Sequence, residues 1–207
     1  ECVQAILTGV DTVRDLKAEG YDLIVTGEMG IGNTTTSSAC AAVLFDQAPE
    51  VVTGRGAGLS TEGLNKKVRA IERAIEVNHP DKTDAIDVIS KVGGLDIAGM
   101  VGCYLGAAYY HLPILIDGFI SAISAYLAVM LSKTAKEYMI PTHGSAEPAA
   151  KLVMEHLGMQ APIQAGMHLG EGTGAIMGLS LIDQGLNVYY HVATWDGAHV
   201  EAYTHQK

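Results

Sequence analysis

Positive charge is scarce in this chain. Thirteen Lys and Arg stand against 23 Asp and Glu over 207 residues, a net charge of −10. That balance argues against a nucleic acid or an anionic membrane as partner, and no global field draws in a phosphorylated ligand. Aromatic residues make up only 6% against 48% hydrophobic. The core must therefore be built from Ala, Val, Ile and Leu, as in α/β proteins. Cysteine is limited to Cys2, Cys40 and Cys103, with no C-x-x-C pair and only apolar or small neighbours. They read as reduced core thiols of a cytoplasmic protein. The long apolar runs are interrupted by Gly, Asp or Ser, so no membrane span is indicated, and no signal peptide is visible. The eight histidines form no obvious metal cluster. Internal repeats, low-complexity runs and linkers are also missing. A chain of this length can bury a good core as one domain.

What is present alternates between helical and extended patterns. Val3, Ile6, Leu7, Val10, Val13 and Leu16 recur at helical spacing and predict a helix over residues 3–17 with these as its inner face. A buried strand over 21–26 follows. Residues 37–45 read as a helix, Val51-Val52-Thr53 as a short strand, and 62–78 as an amphipathic helix with Leu64, Val68, Ile71 and Ile75 inward. Helices are expected over 85–92, 96–110, 119–131 and 147–157, and from 173 to about 181. Strands are expected at 113–116 and 138–140. Gly99, Gly102 and Gly106 suggest close helix packing. The tail from Tyr189 onward is rich in His and aromatics and could belong to a small helical subdomain. This alternation predicts an α/β fold, a three-layer α/β/α arrangement on a mostly parallel, Rossmann-like sheet. Three Gly-containing loops, 27–34, 54–58 and 117–118, are expected to follow strands directly and to converge on one crevice at the strands' carboxyl ends.

The loop Gly27-Glu28-Met29-Gly30-Ile31-Gly32-Asn33-Thr34 is the centre of that arrangement. Its glycines allow a tight turn, and the helix N-terminus behind it suits a phosphate. It is nearly a Walker A loop, but Asn33 stands where the phosphate-binding lysine belongs. It also fails the dinucleotide fingerprint, since Thr35 replaces the third glycine. Glu28 is an odd choice in a loop that only binds an anion.

The longer string, from Gly27 through Thr35, resembles the nicotinate-nucleotide:dimethylbenzimidazole phosphoribosyltransferases of cobalamin lower-ligand assembly. Further strings fit in the same order: Gly54-Arg55-Gly56-Ala57-Gly58-Leu59 with Lys67, Gly93-Gly94-Leu95-Asp96-Ile97-Ala98, and Leu115-Ile116-Asp117-Gly118-Phe119-Ile120. His143-Gly144-Ser145-Ala146-Glu147 and Leu169-Gly170-Glu171-Gly172-Thr173-Gly174-Ala175 complete the set. Members of that family are longer and carry a preceding segment that supplies part of the base pocket. The expectation is therefore that this chain is a C-terminal portion.

The resemblance implies transfer of phosphoribose from nicotinate mononucleotide to 5,6-dimethylbenzimidazole by a cytoplasmic homodimer, without a metal or other cofactor. Nicotinate leaves as a neutral ring, so no acid is required. A base must take the benzimidazole N–H proton, and the resemblance gives that role to Glu171. A carboxylate held in an apolar pocket would gain basicity; the alternative is a helix N-terminal Glu facing the dipole. Glu28 would stabilise charge on the ribose or assist deprotonation, or else merely caps loop N–H groups. Lys67, with backbone of Gly30, Ile31, Gly32, Asn33 and Thr34, would hold the phosphate; the bland reading is a solvated helix lysine. Arg55 is the competing cation. Asp117, beside Gly118, would hold ribose hydroxyls or cap the helix starting near Phe119. Ser145 would meet the nicotinate carboxylate or act as a cap, and Leu169 and Gly170 complete the implied site. His143 reads as structural. A triad of Ser145, His143 and Asp117 lacks a G-x-S-x-G elbow. Rival functions are a P-loop-like NTPase using Asp117 for magnesium, and a non-catalytic nucleotide-binding module.

Overall fold

Strands are short here and helices carry most of the chain, which a computed structural model describes over residues 1–201 and 204. The helices are α1 (Cys2–Ala18), α2 (Asn33–Leu44), α3 (Pro49–Val52), α4 (Thr61–Asn78), α5 (Ala85–Val92), α6 (Leu95–Tyr110), α7 (Phe119–Leu131), α8 (Ala150–Leu157) and α9 (Thr173–His191). β1 (Ile24–Val25), β2 (Ile114–Ile116) and β3 (Met139–Pro141) form a parallel sheet in that order. β4 (His143–Ser145) and β5 (Ile163–Met167) form a second parallel pair. The expected α/β class with parallel strands is what the chain adopts, although the sheets are small. Ile114, Leu115 and Ile116 are fully buried, as are Ile97, Val101 and Tyr104 of α6 and Ile123 and Leu127 of α7. These continuous apolar segments make the parallel strands and their covering helices one core.

The pairing of α1 with α6 depends on missing side chains. A Cβ on Gly102 would lie 1.9 Å from the carbonyl oxygen of Ile6, and one on Gly9 would lie 2.0 Å from that of Gly99. The helices touch backbone to backbone. Gly102→Ala must therefore push them apart and is expected to destabilise by about 1–3 kcal/mol. Thermal denaturation should show a Tm lower by roughly 2–12 °C for a protein of this size. Gly99→Ala is the control. Its Cβ meets no neighbour within 4 Å, so it should be neutral or gain the helix propensity of Ala over Gly, about 1 kcal/mol.

Several elements differ from the sequence expectation. Residues 51–53 are not a strand: Pro49 opens a single helical turn, α3, which Val52 ends. Proline's fixed φ suits a first helical position, and two β-branched residues cannot by themselves distinguish a strand from one turn. The first strand is shorter than expected, and Val25 on its edge is 38% exposed. Val3 and Leu7 face outward, while Cys2, Ile6, Gly9 and Val13 form the buried face of α1. α8 begins at Ala150. β4 and β5 go beyond the expectation, because His143-Gly144-Ser145 carries turn-type residues and becomes a strand only through a distant partner. α9 runs ten residues beyond Leu181, to His191. The tail from Tyr189 thus starts as its last turn, while Ala202, Tyr203, His205, Gln206 and Lys207 lie outside the described residues. No helix among the described residues is long and apolar enough to cross a membrane.

Candidate active site

The carboxyl ends of β1 and β2 open onto a cleft of about 720 Å³. Glu28, Met29 and Gly30 after β1 line one side, with Gly118, Phe119 and Ile120 after β2. Thr34 and residues 56–58 add another wall, and β4, the end of β5 and the loop of residues 168–171 complete it. Loop 54–58 follows α3 rather than a strand, yet it reaches the same crevice.

Glu28 and Glu171 share this cleft although 143 positions separate them. The Glu171 backbone N–H donates to the Glu28 carbonyl at 2.9 Å, tying the loops together. Their approach needs glycine, since a Cβ on Gly27 would lie 2.5 Å from the Gly172 nitrogen. Gly170, Glu171 and Gly172 all have positive φ, at 84°, 57° and 75°. A left-handed conformation is uncommon outside glycine, and at Glu171 it aims a carboxylate out of a tight turn.

The environments of the two carboxylates differ, and Glu28 does accept a loop N–H as its plainer reading expects. Glu171 is exposed, and among the described residues no dry apolar pocket encloses it. Glu28 is half-buried; burial pushes its carboxyl above the usual range, against hydrogen bonds from Asn33 and Gly30 that pull it down. Its Oε2 accepts from Gly30 N–H at 2.6 Å and from Asn33 Nδ2 at 3.0 Å. Asn33 Nδ2 also donates to Asp96 Oδ2 at 2.9 Å. The asparagine in the Walker-lysine position therefore spaces two acids. Asn33→Ala removes a donor that lowers the Glu28 pKa and unshields Asp96. If Glu28 must be ionised for turnover, the acidic limb of the kcat/KM profile should move to higher pH in this variant. An unmoved limb would mean that Glu28 does not control it.

Asp117 caps a helix, but not the one beside it in sequence. Its Oδ2 accepts from Gly172 N–H at 3.1 Å and its Oδ1 from Ala175 N–H at 3.0 Å. It caps α9, whose own N-cap residue is a glycine with no side chain to do so. It does not cap α7, it is 2% exposed, and it does not line the cleft. Nor does it line the cleft at the place an NTPase would put its strand-end magnesium ligand. His143 is buried; burial lowers its pKa while Asp117 raises it. His143 Nδ1 stands 3.9 Å from Asp117 Oδ1, beyond hydrogen-bond reach. Ser145 lies close by in the cleft. The triad residues are thus neighbours without forming a relay.

Lys67 is not a solvated lysine. It is 7% exposed, and its Nζ donates to Thr34 Oγ1 at 2.9 Å and Gly54 O at 3.0 Å. Burial lowers its pKa and nearby Glu147 raises it. It stands directly behind Thr34 and Gly56, which line the cleft. Arg55 turns the other way, donating to Leu59 O at 2.7 Å and Thr61 Oγ1 at 3.2 Å, so its fork belongs to its own loop. Ile31 is 81% exposed, and neither it nor Gly32 lines the cleft. Gly30, Thr34, Gly118, Ser145, Leu169 and Gly170 do. Ser145 does not cap α8, whose N-cap is Ala149. No cluster of His, Cys, Asp and Glu suited to a metal occurs among the described residues.

Two titratable cleft residues, Glu147 and His168, had no role assigned from sequence. For Glu147 a signal existed: His143, Ser145 and Glu147 all line the cleft, with the period-two spacing of extended chain.

A family model, DBI_PRT, described as a phosphoribosyltransferase, matches residues 1–200. The chain is 49% identical over 206 residues to the nicotinate-nucleotide–dimethylbenzimidazole phosphoribosyltransferase of Acetivibrio thermocellus, covering 100% of this chain and 59% of that protein. It is 46% identical over 203 residues to the enzyme of the same name in Clostridium acetobutylicum, covering 98% and 58%. The crystal structure of CobT from Thermus thermophilus superposes with a TM-score of 0.89 at 35% identity, covering 98% of this chain and 60% of that one. The chain thus spans somewhat under two thirds of the relatives it matches. With the family's model matched from residue 1 to residue 200, this chain belongs to the DBI_PRT phosphoribosyltransferase family.

Proposed function

We propose that this chain carries the catalytic cleft of a nicotinate-nucleotide:dimethylbenzimidazole phosphoribosyltransferase, acting in the cytoplasm as a homodimer. The observation that supports it best is the meeting of Glu28 and Glu171 at one cleft, tied by a backbone hydrogen bond. In this reading the mononucleotide phosphate lies against Thr34 and the Gly56 loop, with the Lys67 ammonium directly behind them. The C1′–nitrogen bond to nicotinate breaks as a benzimidazole nitrogen bonds to C1′. Nicotinate departs with the bonding pair as a neutral pyridine, and the benzimidazole N–H proton passes to Glu171. Glu28 faces the positive charge that grows on the ribose. Its elevated pKa also makes it a stronger base than an ordinary carboxylate, so it could receive the proton in turn. The products are α-ribazole 5′-phosphate and nicotinate.

The test is direct. Incubation with nicotinate mononucleotide and 5,6-dimethylbenzimidazole should release nicotinate and α-ribazole 5′-phosphate in equal amounts. Mononucleotide binding without turnover at saturating base would instead identify a nucleotide-binding module. Magnesium-dependent ATP binding would favour the NTPase reading.

A further inference from the structure

Glu147 is a cleft carboxylate without a partner. It lines the same cavity as Glu28 and Glu171, yet neither of its oxygens accepts a hydrogen bond among the described residues. Oε2 is sealed from solvent and unsatisfied. It packs on the Gly54 backbone so closely that a Cβ there would lie 2.0 Å from it. Position 54 must therefore be glycine for this carboxylate to occupy its place. On the other side of Gly54, the carbonyl accepts from Lys67 Nζ at 3.0 Å. The Lys67 ammonium and Glu147 thus flank one residue, close enough for the carboxylate to raise the lysine pKa without forming an ion pair. A dry carboxylate oxygen with no donor is costly, and Oε2 is closed to any ligand. Oε1 is not sealed in this way, so it is the oxygen on which a donor arriving with a ligand in the cleft can stabilise the carboxylate in its place.

Of the substrates in the reading above, on which this inference rests, few groups can donate. The nicotinate ring has no N–H. The benzimidazole N–H belongs to the pair Glu28 and Glu171. The ribose 2′- and 3′-hydroxyls remain, on the sugar that carries the phosphate placed near Lys67. We propose that Glu147 is the sugar-hydroxyl acceptor of this site, through the oxygen that Gly54 does not cover, and that it selects ribose over deoxyribose. Carboxylates hold ribose hydroxyls in this way in dinucleotide-binding folds. The role differs from those of Asp117, whose oxygens are engaged by α9, and of Ser145, which offers a hydroxyl.

The experiment measures kcat/KM on the intact protein for nicotinate mononucleotide and for its 2′-deoxy and 3′-deoxy analogues, in wild type, Glu147→Ala and Glu147→Gln. A hydrogen bond to a charged acceptor corresponds to about 10- to 100-fold in discrimination. Wild type should prefer the ribose substrate to one deoxy analogue by that factor. Glu147→Ala should lose it, falling on the ribose substrate and hardly at all on that analogue. Glu147→Gln, which keeps an acceptor, should retain part of it. Equal losses on all three sugars would overturn the proposal and leave Glu147 as a support for the Gly54 loop or for Lys67. A wild type that turns over no mononucleotide would instead refute the underlying function. A folding defect in Glu147→Ala lowers every substrate alike, and the Gln variant then decides through its sugar preference.

Discussion

Glu171→Gln is expected to lower kcat/KM by about 10²- to 10⁴-fold, the range for removing a general base, while mononucleotide affinity stays within roughly threefold of wild type. The substitution keeps size and hydrogen-bonding shape and deletes only the ability to take a proton. The backbone should not change, because Gly170 and Gly172 on either side hold the left-handed turn and the Glu171 N–H still bonds to Glu28. Steady-state kinetics with equilibrium binding of the mononucleotide measure both quantities. The parallel variant Glu28→Gln makes the outcome diagnostic. If Glu171→Gln turns over almost normally while Glu28→Gln does not, the proton goes to the half-buried carboxylate, the one whose pKa burial has raised.

Asp117→Ala should produce a large stability loss. The Gly172 and Ala175 N–H groups would be left buried with no acceptor at the start of a 19-residue helix. Each hydrogen bond to a charged group contributes about 1.5–3 kcal/mol, and the carboxylate also faces the positive end of the helix dipole. A loss of about 3–5 kcal/mol follows, or a Tm lower by roughly 6–20 °C. Asp117→Asn should fall between, since an amide offers only one acceptor to two donors. Thermal and urea denaturation check the magnitude. A variant of near wild-type stability that loses only mononucleotide affinity would return Asp117 to the sugar. Because α9 starts at the loop bearing Glu171, activity should fall together with stability.

Particular residues show where sequence reading succeeds. The glycines of α6 announce a close helix contact, and Gly102 makes one. Helices α5 and α7 keep the boundaries that their apolar spacing and flanking Gly residues imply. Both rest on local periodicity, which a single sequence carries. Failures gather where the deciding partner is far away along the chain. His143-Gly144-Ser145 becomes a strand only against Ile163–Met167. Asp117 caps a helix 55 positions later rather than the one beside it. Arg55 and Lys67 look interchangeable as cations, and only folding turns one toward its own loop and the other behind Thr34.

The sequence by itself determined the α/β class, the order of most helices and the glycine-rich loops, because turn chemistry and hydrophobic period are local properties of the chain; the two glutamates stood out as a pair only through the family resemblance. Tertiary structure alone decided which carboxylates are free. Asp117 is consumed by α9, Glu28 is raised by burial and braced by Asn33, and Glu147 is left with an oxygen that nothing satisfies among the described residues. Desolvation and hydrogen-bond saturation depend on atoms brought from distant positions, and no spacing rule encodes them.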